Sequence, residues 1–141
     1  MFFKQFYDKH LSQASYLIGC QKTGEAMIID PIRDLSSYIR VADEEGLTIT
    51  HAAETHIHAD FASGIRDVAI KLNANIYVSG ESDDTLGYKN MPNHTHFVQH
   101  NDDIYVGNIK LKVLHTPGHT PESISFLLTD KGAEAVSYTH L

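Results

Sequence analysis

The sequence predicts an α/β fold, and three patterns support this prediction. Apolar residues recur at helical spacing in the segments 35–42 and 61–72. A short apolar run, 47–53, lies between them and has the length of a buried strand. Apolar and lysine residues alternate over 109–113, which is typical of a strand with one buried face. Helical and extended segments therefore alternate first and strands follow, as in layered α/β domains.

The other elements are predicted from the same patterns. Residues 15–19 and 26–29 are expected to form two short strands joined by a turn. The first helix has Asp34 as its expected N-cap and Gly46 as the residue just past its end. The second helix is expected to begin just past Asp60. The remaining strands are predicted at 76–78, at an edge within the polar segment 79–100, at 109–113 after a hairpin turn, and at 124–128.

Composition limits the classes of function. The chain has 141 residues, of which 42% are apolar, so it forms at most one domain with a real core. Its 11 basic and 18 acidic residues give a net charge of −7, which argues against a nucleic-acid or anionic-membrane surface. The start of the sequence has no long apolar run, so neither a signal peptide nor a membrane span is expected. Cys20, the single cysteine, cannot form an internal disulfide, so a cytoplasmic location is expected.

The first of two chemical motifs is the segment 55–60, which directly follows the predicted strand 47–53. It contains His56, His58 and Asp60. Since alternate side chains of an extended backbone point the same way, these three can converge at the end of the strand. Imidazole and carboxylate together suit zinc or iron, and not calcium or magnesium.

The second motif, 115–120, follows the predicted strand 109–113. Pro117 fixes its own φ and Gly118 leaves φ free, so a tight turn is expected to direct His119 back over the sheet edge. Two such motifs at strand ends argue against a chance scatter of loop histidines. They predict a metal site with ligands drawn from His56, His58, Asp60 and His119.

Other polar residues are assigned supporting roles. His115 precedes the turn and is expected to orient the ligands, as are Thr55 and Thr120, which flank the ligand histidines. His51 lies inside a predicted strand and is expected to be structural. Cys20 is expected to be a small buried residue without an activating neighbour. The histidines expected to be solvated in a polar loop are His94, His96 and His100.

The two motifs, Thr-His-x-His-x-Asp and Thr-Pro-Gly-His-Thr, resemble those of the metallo-β-lactamase fold superfamily. The wider segment 54–64, with 15–19 and 29–31 upstream, resembles a narrower branch, the persulfide dioxygenases, which in bacteria are often fused to rhodanese domains. The resemblance covers residues 2–130. It implies an αβ/βα sandwich, of which this chain holds the N-terminal half and part of the second sheet.

For the site, the resemblance implies one Fe(II) held by two histidines and a carboxylate, with open positions for oxygen chemistry. The two catalytic histidines would be His56 and His119, with His58 close by and Asp60 organising the motif. The implied reactants are a low-molecular-weight thiol persulfide, such as glutathione persulfide, and O₂, with sulfite as a product. Neither nucleic acid nor membrane is an expected partner. A homo-oligomer and a fused or partner rhodanese domain are left open.

One residue departs from the pattern of the superfamily's two-zinc hydrolases. These enzymes, including glyoxalase II, usually carry a histidine directly after the motif aspartate, and this chain has Phe61 there. A phenyl ring cannot bind a metal, so the departure favours a single ion. The alternative function is a zinc-dependent, glyoxalase II-like thioester hydrolase, a hydroxyacylglutathione hydrolase.

The carboxylate ligand of the family is expected in a Gly-Asp pair beyond the second motif, and no such pair follows His119. It would fall near 137–140, but 136–141 matches the translation of a transposon end used for sequencing libraries. We therefore expect an incomplete domain over 1–134 and a non-native read-through tail over 135–141. A half-sandwich is expected to be poorly soluble and to bind metal weakly, so an inactive truncated fragment is the second alternative.

Overall fold

A computed structural model describes residues 1–81, 87–130 and 136–138, the last three as backbone alone. Two β-sheets face each other, and two helices cover the outer side of the larger sheet. The helices are α1 (Ser36–Glu44) and α2 (Ile65–Leu72). The α/β sandwich expected from the sequence, with one sheet and part of a second, is confirmed.

The larger sheet contains the first six strands in chain order. They are β1 (Phe2–Asp8), β2 (Gln13–Cys20), β3 (Glu25–Ile29), β4 (Thr48–Ala53), β5 (Asn75–Ser79) and β6 (Thr95–Val98). The first three pair antiparallel, and β3 to β6 pair parallel. Helix α1 connects β3 to β4 and α2 connects β4 to β5, because parallel neighbours need a crossover connection. The C-terminal ends of β3 and β4 therefore lie side by side at the same end of the sheet.

The smaller sheet is antiparallel, with the order β10-β9-β8-β7. Its strands are β7 (Asp103–Val106), β8 (Ile109–His115), β9 (Ile124–Asp130) and β10 (Val136–Tyr138). The prediction that residues 135–141 are foreign to the protein stays a prediction. Parts of this segment, 135 and 139–141, lie outside the described residues.

Two apolar cores hold these layers together. The first lies between the helices and the larger sheet, and Tyr38 of α1 and Val68 of α2 are among its buried residues. The second lies between the two sheets, with Met27 and Ile29 of β3 facing strands β7, β8 and β9. Alternating side chains of each central strand supply both cores, which is why β3 reads as an almost continuous apolar run.

Both helix starts differ from the sequence-based prediction. Helix α1 has Leu35 as its N-cap residue, and Asp34 instead accepts hydrogen bonds from the backbone N–H and the hydroxyl of Ser36. Helix α2 begins at Ile65, five residues past Asp60. In the segment before α2, Ser63 forms an isolated β-bridge with Ile32.

Three strands were not predicted from the sequence: β1, β7 and β10. β1 has one weakly buried face, and its charged and apolar residues do not alternate cleanly. β7 has only four residues and completes the hairpin with β8. The expected edge strand within 79–100 is present as β6, and residues 82–86 of that segment lie outside the described chain. In the described residues, neither helix has the length and apolar character to cross a bilayer.

Candidate metal centre

The first motif begins where β4 ends, beside the end of β3. The backbone N–H of Asp30 donates to the carbonyl of Ala53 (2.9 Å), and that of Glu54 donates to the carbonyl of Tyr77 (3.1 Å). These bonds extend the parallel sheet by one residue on each side of β4. The next residue, Thr55, is buried and begins the segment that carries His56 and the rest of the motif.

Asp30 is the anchor of this segment. It is fully buried and has a positive φ of 54°, a conformation that aspartate tolerates better than most residues. Its Oδ1 accepts hydrogen bonds from the backbone N–H of Thr55 (2.8 Å) and from Nε2 of His58 (2.9 Å). Its Oδ2 accepts the hydroxyl of Thr55 (2.8 Å). One carboxylate therefore fixes both ends of the turn that holds His56.

Thr55, which is held by Asp30, in turn orients His56, which is 4% exposed. The hydroxyl of Thr55 donates to Asp30, so its oxygen accepts a hydrogen bond from Nδ1 of His56, 3.0 Å away. A neutral imidazole that donates from Nδ1 carries its lone pair on Nε2. The network thus selects the tautomer with which His56 can bind a metal ion through Nε2, as supporting residues of metal sites do.

His58 is held differently. Burial tends to lower the pKa of His58, but the hydrogen bond and negative charge of Asp30 outweigh it and raise the pKa above its usual value. The side chains of His58 and Asp30 are almost completely buried. His58 therefore has the character of an ion-pair partner of Asp30. Asp60 is exposed, and its charge contributes to the raised pKa of His58.

The second motif forms a turn that is stabilised by hydrogen bonds among its own residues and those just after it. The N–H of Thr116 donates to the carbonyl of Ser123 (2.9 Å), and the hydroxyls of Thr120 and Ser123 lie 2.7 Å apart. His115 donates from Nε2 to the carbonyl of Pro121 (2.8 Å). His115 and Thr120 thus support the turn on which His119 lies. Gly118 does not have a positive φ, contrary to the expectation that the turn uses its conformational freedom.

The two motifs meet at the histidines. The ring centroids of His56 and His119 are 5.0 Å apart with perpendicular planes, and those of His56 and His58 are 4.1 Å apart. The ring of Phe61 packs against His58 at 4.5 Å. His56 is buried and His119 is exposed, so the pair lies at the mouth of the cluster, where a small ligand can reach it.

The histidines of the two motifs are ligands of the type that iron and zinc prefer, but the described residues do not supply a complete ligand set. Imidazole pairs are typical ligands of both metals. Yet within the residues that the structure describes, no three histidine, cysteine, aspartate or glutamate side chains are arranged to hold one ion together. The assignment of His56, His58, Asp60 and His119 as ligands stays a prediction, and a complete site needs one further donor.

Two buried carboxyl groups near the site were not singled out from the sequence. Glu54 is 2% exposed and accepts a hydrogen bond from the hydroxyl of Ser63, and burial raises its pKa to about 7. Glu122 is 3% exposed and accepts the backbone N–H of Ile57 (2.9 Å). The signal for Glu54 was its place between an apolar strand and the motif. Glu122 gave no signal, because its partner is 65 residues away.

The other singled-out residues lie around this centre. His51 is in β4, with Nδ1 2.6 Å from the hydroxyl of Thr50 and its ring stacked on Tyr77. His96 is in β6 and not in a loop, and it stacks on the other side of Tyr77. His100 is exposed and its Nδ1 accepts the N–H of His115 (3.0 Å), and His94 is exposed.

Cys20 is buried, as predicted, but it does have activating neighbours. Burial alone would raise its pKa, whereas hydrogen bonds from Thr23 and from the backbone N–H of Asn108 lower it below the usual value. Asn108 comes from the hairpin of the second sheet, 88 residues away, so the sequence could not reveal it. Tyr88 has its hydroxyl buried beside Glu54, and burial raises its pKa.

The chain is thus an α/β sandwich of two sheets, with histidines of two motifs gathered at strand ends. The chain belongs to the metallo-beta-lactamase superfamily, whose sequence profile matches residues 9–133. It is similar over its length to a metallo-beta-lactamase structure from Staphylococcus aureus subsp. aureus COL. That structure is 99% identical in sequence, with a TM-score of 0.92. The match covers 94% of this chain and 39% of the Staphylococcus aureus chain.

More distant relatives include persulfide dioxygenases and a hydroxyacylglutathione hydrolase. The structure of ETHE1 from Myxococcus xanthus is 34% identical, with a TM-score of 0.77, and the match covers 91% of this chain and 54% of that one. The bovine mitochondrial persulfide dioxygenase ETHE1 is 27% identical over 90% of this chain. The hydroxyacylglutathione hydrolase of Rhodospirillum rubrum is 31% identical over 84% of this chain. The chain spans 48% and 44% of the lengths of these two curated relatives.

Proposed function

We propose that this chain is part of an iron-dependent persulfide dioxygenase that oxidises a low-molecular-weight thiol persulfide with O₂. One observation carries the proposal: His58 is bound to Asp30 at 2.9 Å, and the ring of Phe61 packs against it. This leaves His56 and His119 as the imidazole pair that a facial site with one carboxylate requires. The similarity to the ETHE1 structure supports the same branch.

Two histidines of this chain would bind the metal ion, and neighbouring residues would orient them. His56, oriented by Thr55, and His119, on its braced turn, would hold the ion. Bound iron would supply the one-electron chemistry that O₂ requires. The outer sulfur is oxidised to sulfite, whose third oxygen comes from water, and the thiol is released. The single free thiol, Cys20, suits the reducing cytoplasm in which we place the protein.

A zinc-dependent thioester hydrolase is the second candidate, and it would need His58 as a further ligand. Its ring centroid lies 4.1 Å from that of His56, near enough to join a larger ligand set if the bond to Asp30 rearranged. The relative from Rhodospirillum rubrum, a hydroxyacylglutathione hydrolase, supports this reading. An inactive fragment is the third candidate, since the described residues offer an incomplete ligand set.

The test begins with the reading frame beyond residue 134, amplified from genomic DNA without transposon adapters. We expect the frame to continue into a strand that ends in Gly-Asp. The protein from the complete frame should contain iron and consume O₂ with glutathione persulfide, forming sulfite. Zinc content with thioester cleavage, and without O₂ uptake, would instead establish the hydrolase. A frame that ends at Leu141 would identify an inactive remnant.

A matched pair of variants tests the role of the histidines. His56→Ala should lower the iron content and the rate of O₂ uptake by at least about 100-fold, because substitutions of supporting residues alone cost about 10–100-fold. His94→Ala removes an exposed histidine that precedes β6 and should leave both unchanged. Equal activity in the two variants would exclude His56 as a ligand.

A further inference from the structure

Glu122 joins the two motifs of the candidate site directly. Its Oε1 accepts the backbone N–H of Ile57 at 2.9 Å, and Ile57 lies between His56 and His58. Glu122 itself is three residues beyond His119. The bond therefore connects the segment that carries one candidate ligand to the turn that carries the other.

The turn transmits this connection to His119 because it is internally rigid. The hydroxyl of Ser123 lies 2.7 Å from that of Thr120 and also accepts the backbone N–H of Thr120 (3.3 Å). The N–H of Gly118 donates to the carbonyl of Thr120 (3.2 Å). These bonds hold the backbone on both sides of His119 within the turn that also carries Glu122.

A second hydrogen bond between the two motif regions lies close by, but it contacts Thr55 and not Ile57. The backbone N–H of Ile124 donates to the carbonyl of Thr55 (2.8 Å). This bond aligns the start of β9 with the end of β4. It reaches the chain before His56, whereas the bond from Glu122 reaches Ile57, inside the turn that Asp30 holds at its two ends.

The burial of Glu122 makes the bond stronger than a surface contact. With 3% of the residue exposed, water does not compete effectively for its side chain. Loss of the acceptor would leave the N–H of Ile57 without this partner in a part-buried position. A backbone amide that has lost its acceptor reorients, and the adjacent residue His56 would move with it.

We propose that Glu122 is a positioning residue that sets the geometry of the His56 and His119 rings across the two sheets. It acts through the amide of Ile57 and does not itself bind the metal. The inference rests on the proposed metal role of the two histidines, but it concerns the spacing between them, which exists without the ion.

The first experiment measures that spacing in the metal-free protein expressed from the complete reading frame. In the wild type, the nuclear Overhauser effect between ring protons of His56 and His119 should be observable by NMR with labelled histidine, as the 5.0 Å centroid separation implies. The Ile57 amide should be protected from hydrogen exchange. Glu122→Gln keeps an oxygen acceptor and should preserve both signals, whereas Glu122→Ala should abolish the ring contact and the protection while the thermal unfolding transition persists.

Controls keep the result specific. Asp8→Ala removes a carboxylate that accepts the backbone N–H of His10 on the turn after β1, and it should change neither signal. If Glu122→Ala does not fold, Glu122→Met, which keeps the volume but has no oxygen acceptor, replaces it. A ring contact that persists in the folded variant, or an unprotected Ile57 amide in the wild type, would overturn the proposal.

Zn(II) titration of the protein from the complete reading frame separates this inference from the proposed function. Glu122→Ala should weaken Zn(II) binding about 10–100-fold, and Glu122→Gln should restore it. If the wild type binds no metal, the proposed function fails, and the ring contact in the metal-free chain still decides the role of Glu122. If the wild type binds Zn(II) and Glu122→Ala binds it equally well, the positioning role is wrong.

Discussion

The environment of each histidine gives the same side chain a different chemistry. His56 donates from Nδ1 to Thr55, whereas His58 is paired with a buried carboxylate. His115 donates to a carbonyl within its own turn. His51 is buried in a strand, where its Nδ1 lies beside the hydroxyl of Thr50. Although burial acts in the opposite direction, proximity to Asp30 raises the pKa of His58 and biases this imidazole toward the charged form.

His51 predicts a measurable pH dependence of stability. Burial disfavours the charged imidazole and lowers its pKa, and the nearby His96 acts in the same direction, although Glu25 opposes both. Below the unfolded value of about 6.5 the unfolded chain binds a proton that the folded chain does not, so stability falls as the pH drops. The loss should be at most about 1.4 kcal/mol per pH unit.

The measurement compares urea unfolding of the wild type and His51→Asn between about pH 7.5 and about pH 5. The variant should lose less stability on acidification than the wild type. His10→Asn, which changes an exposed histidine on the turn after β1, serves as the control and should track the wild type. Parallel pH profiles for all three proteins would contradict this account of His51.

At the scale of elements, close backbone contacts decide where helices begin. Gly64 precedes α2, and its N–H donates to the carbonyl of Pro31 (2.8 Å). The segment after β3 and the segment before α2 therefore run side by side. No space for a side chain exists between them, because a Cβ on Gly64 would overlap the carbonyl of Ile32. This contact delays the helix beyond the point that apolar periodicity indicated.

Two glycines near the site should therefore respond differently to substitution. Gly64→Ala forces Cβ into the backbone of Ile32 and should destabilise the fold by about 1–3 kcal/mol. Gly118→Ala places Cβ in open space at an ordinary φ and should change stability by less than about 0.5 kcal/mol. Chemical denaturation measures both, and the reverse order would show that the turn at Gly118 needs its glycine.

At the scale of the whole molecule, the candidate site depends on the packing of one sheet on the other. His56 follows a strand of the larger sheet, and His119 lies between β8 and β9 of the smaller one. Their rings meet because the apolar core between the sheets holds these strands face to face. Phe126 of β9 is fully buried in that core. Loss of packing there should disturb the site as well as the fold.

Two phenylalanines provide a matched test. Phe126→Ala removes a fully buried ring and should destabilise the protein by about 3–5 kcal/mol, with loss of the His56–His119 ring contact. Phe97→Ala, at a residue 55% exposed on β6, should cost less than about 1 kcal/mol and preserve the contact. Urea denaturation and NMR provide both readouts. Comparable losses in the two variants would mean that the sheets do not pack through this core.

The sequence by itself determined the α/β class, the central strands and the membership in the superfamily. These follow from local patterns: the apolar run of β4, the alternation in β8, and two motifs placed directly after them. Edge strands such as β1 were missed because a half-exposed strand carries a weak pattern.

Only the tertiary structure decided how the motif residues are used. Asp30, Glu122 and the amide of Asn108 act on partners 25 to 88 residues away in sequence. Such hydrogen bonds leave no periodic trace, because a side chain's partner depends on how strands from distant segments pack. The fold brings a buried carboxylate to His58 and orients His56 through Thr55, and neither spacing nor composition could separate these two histidines.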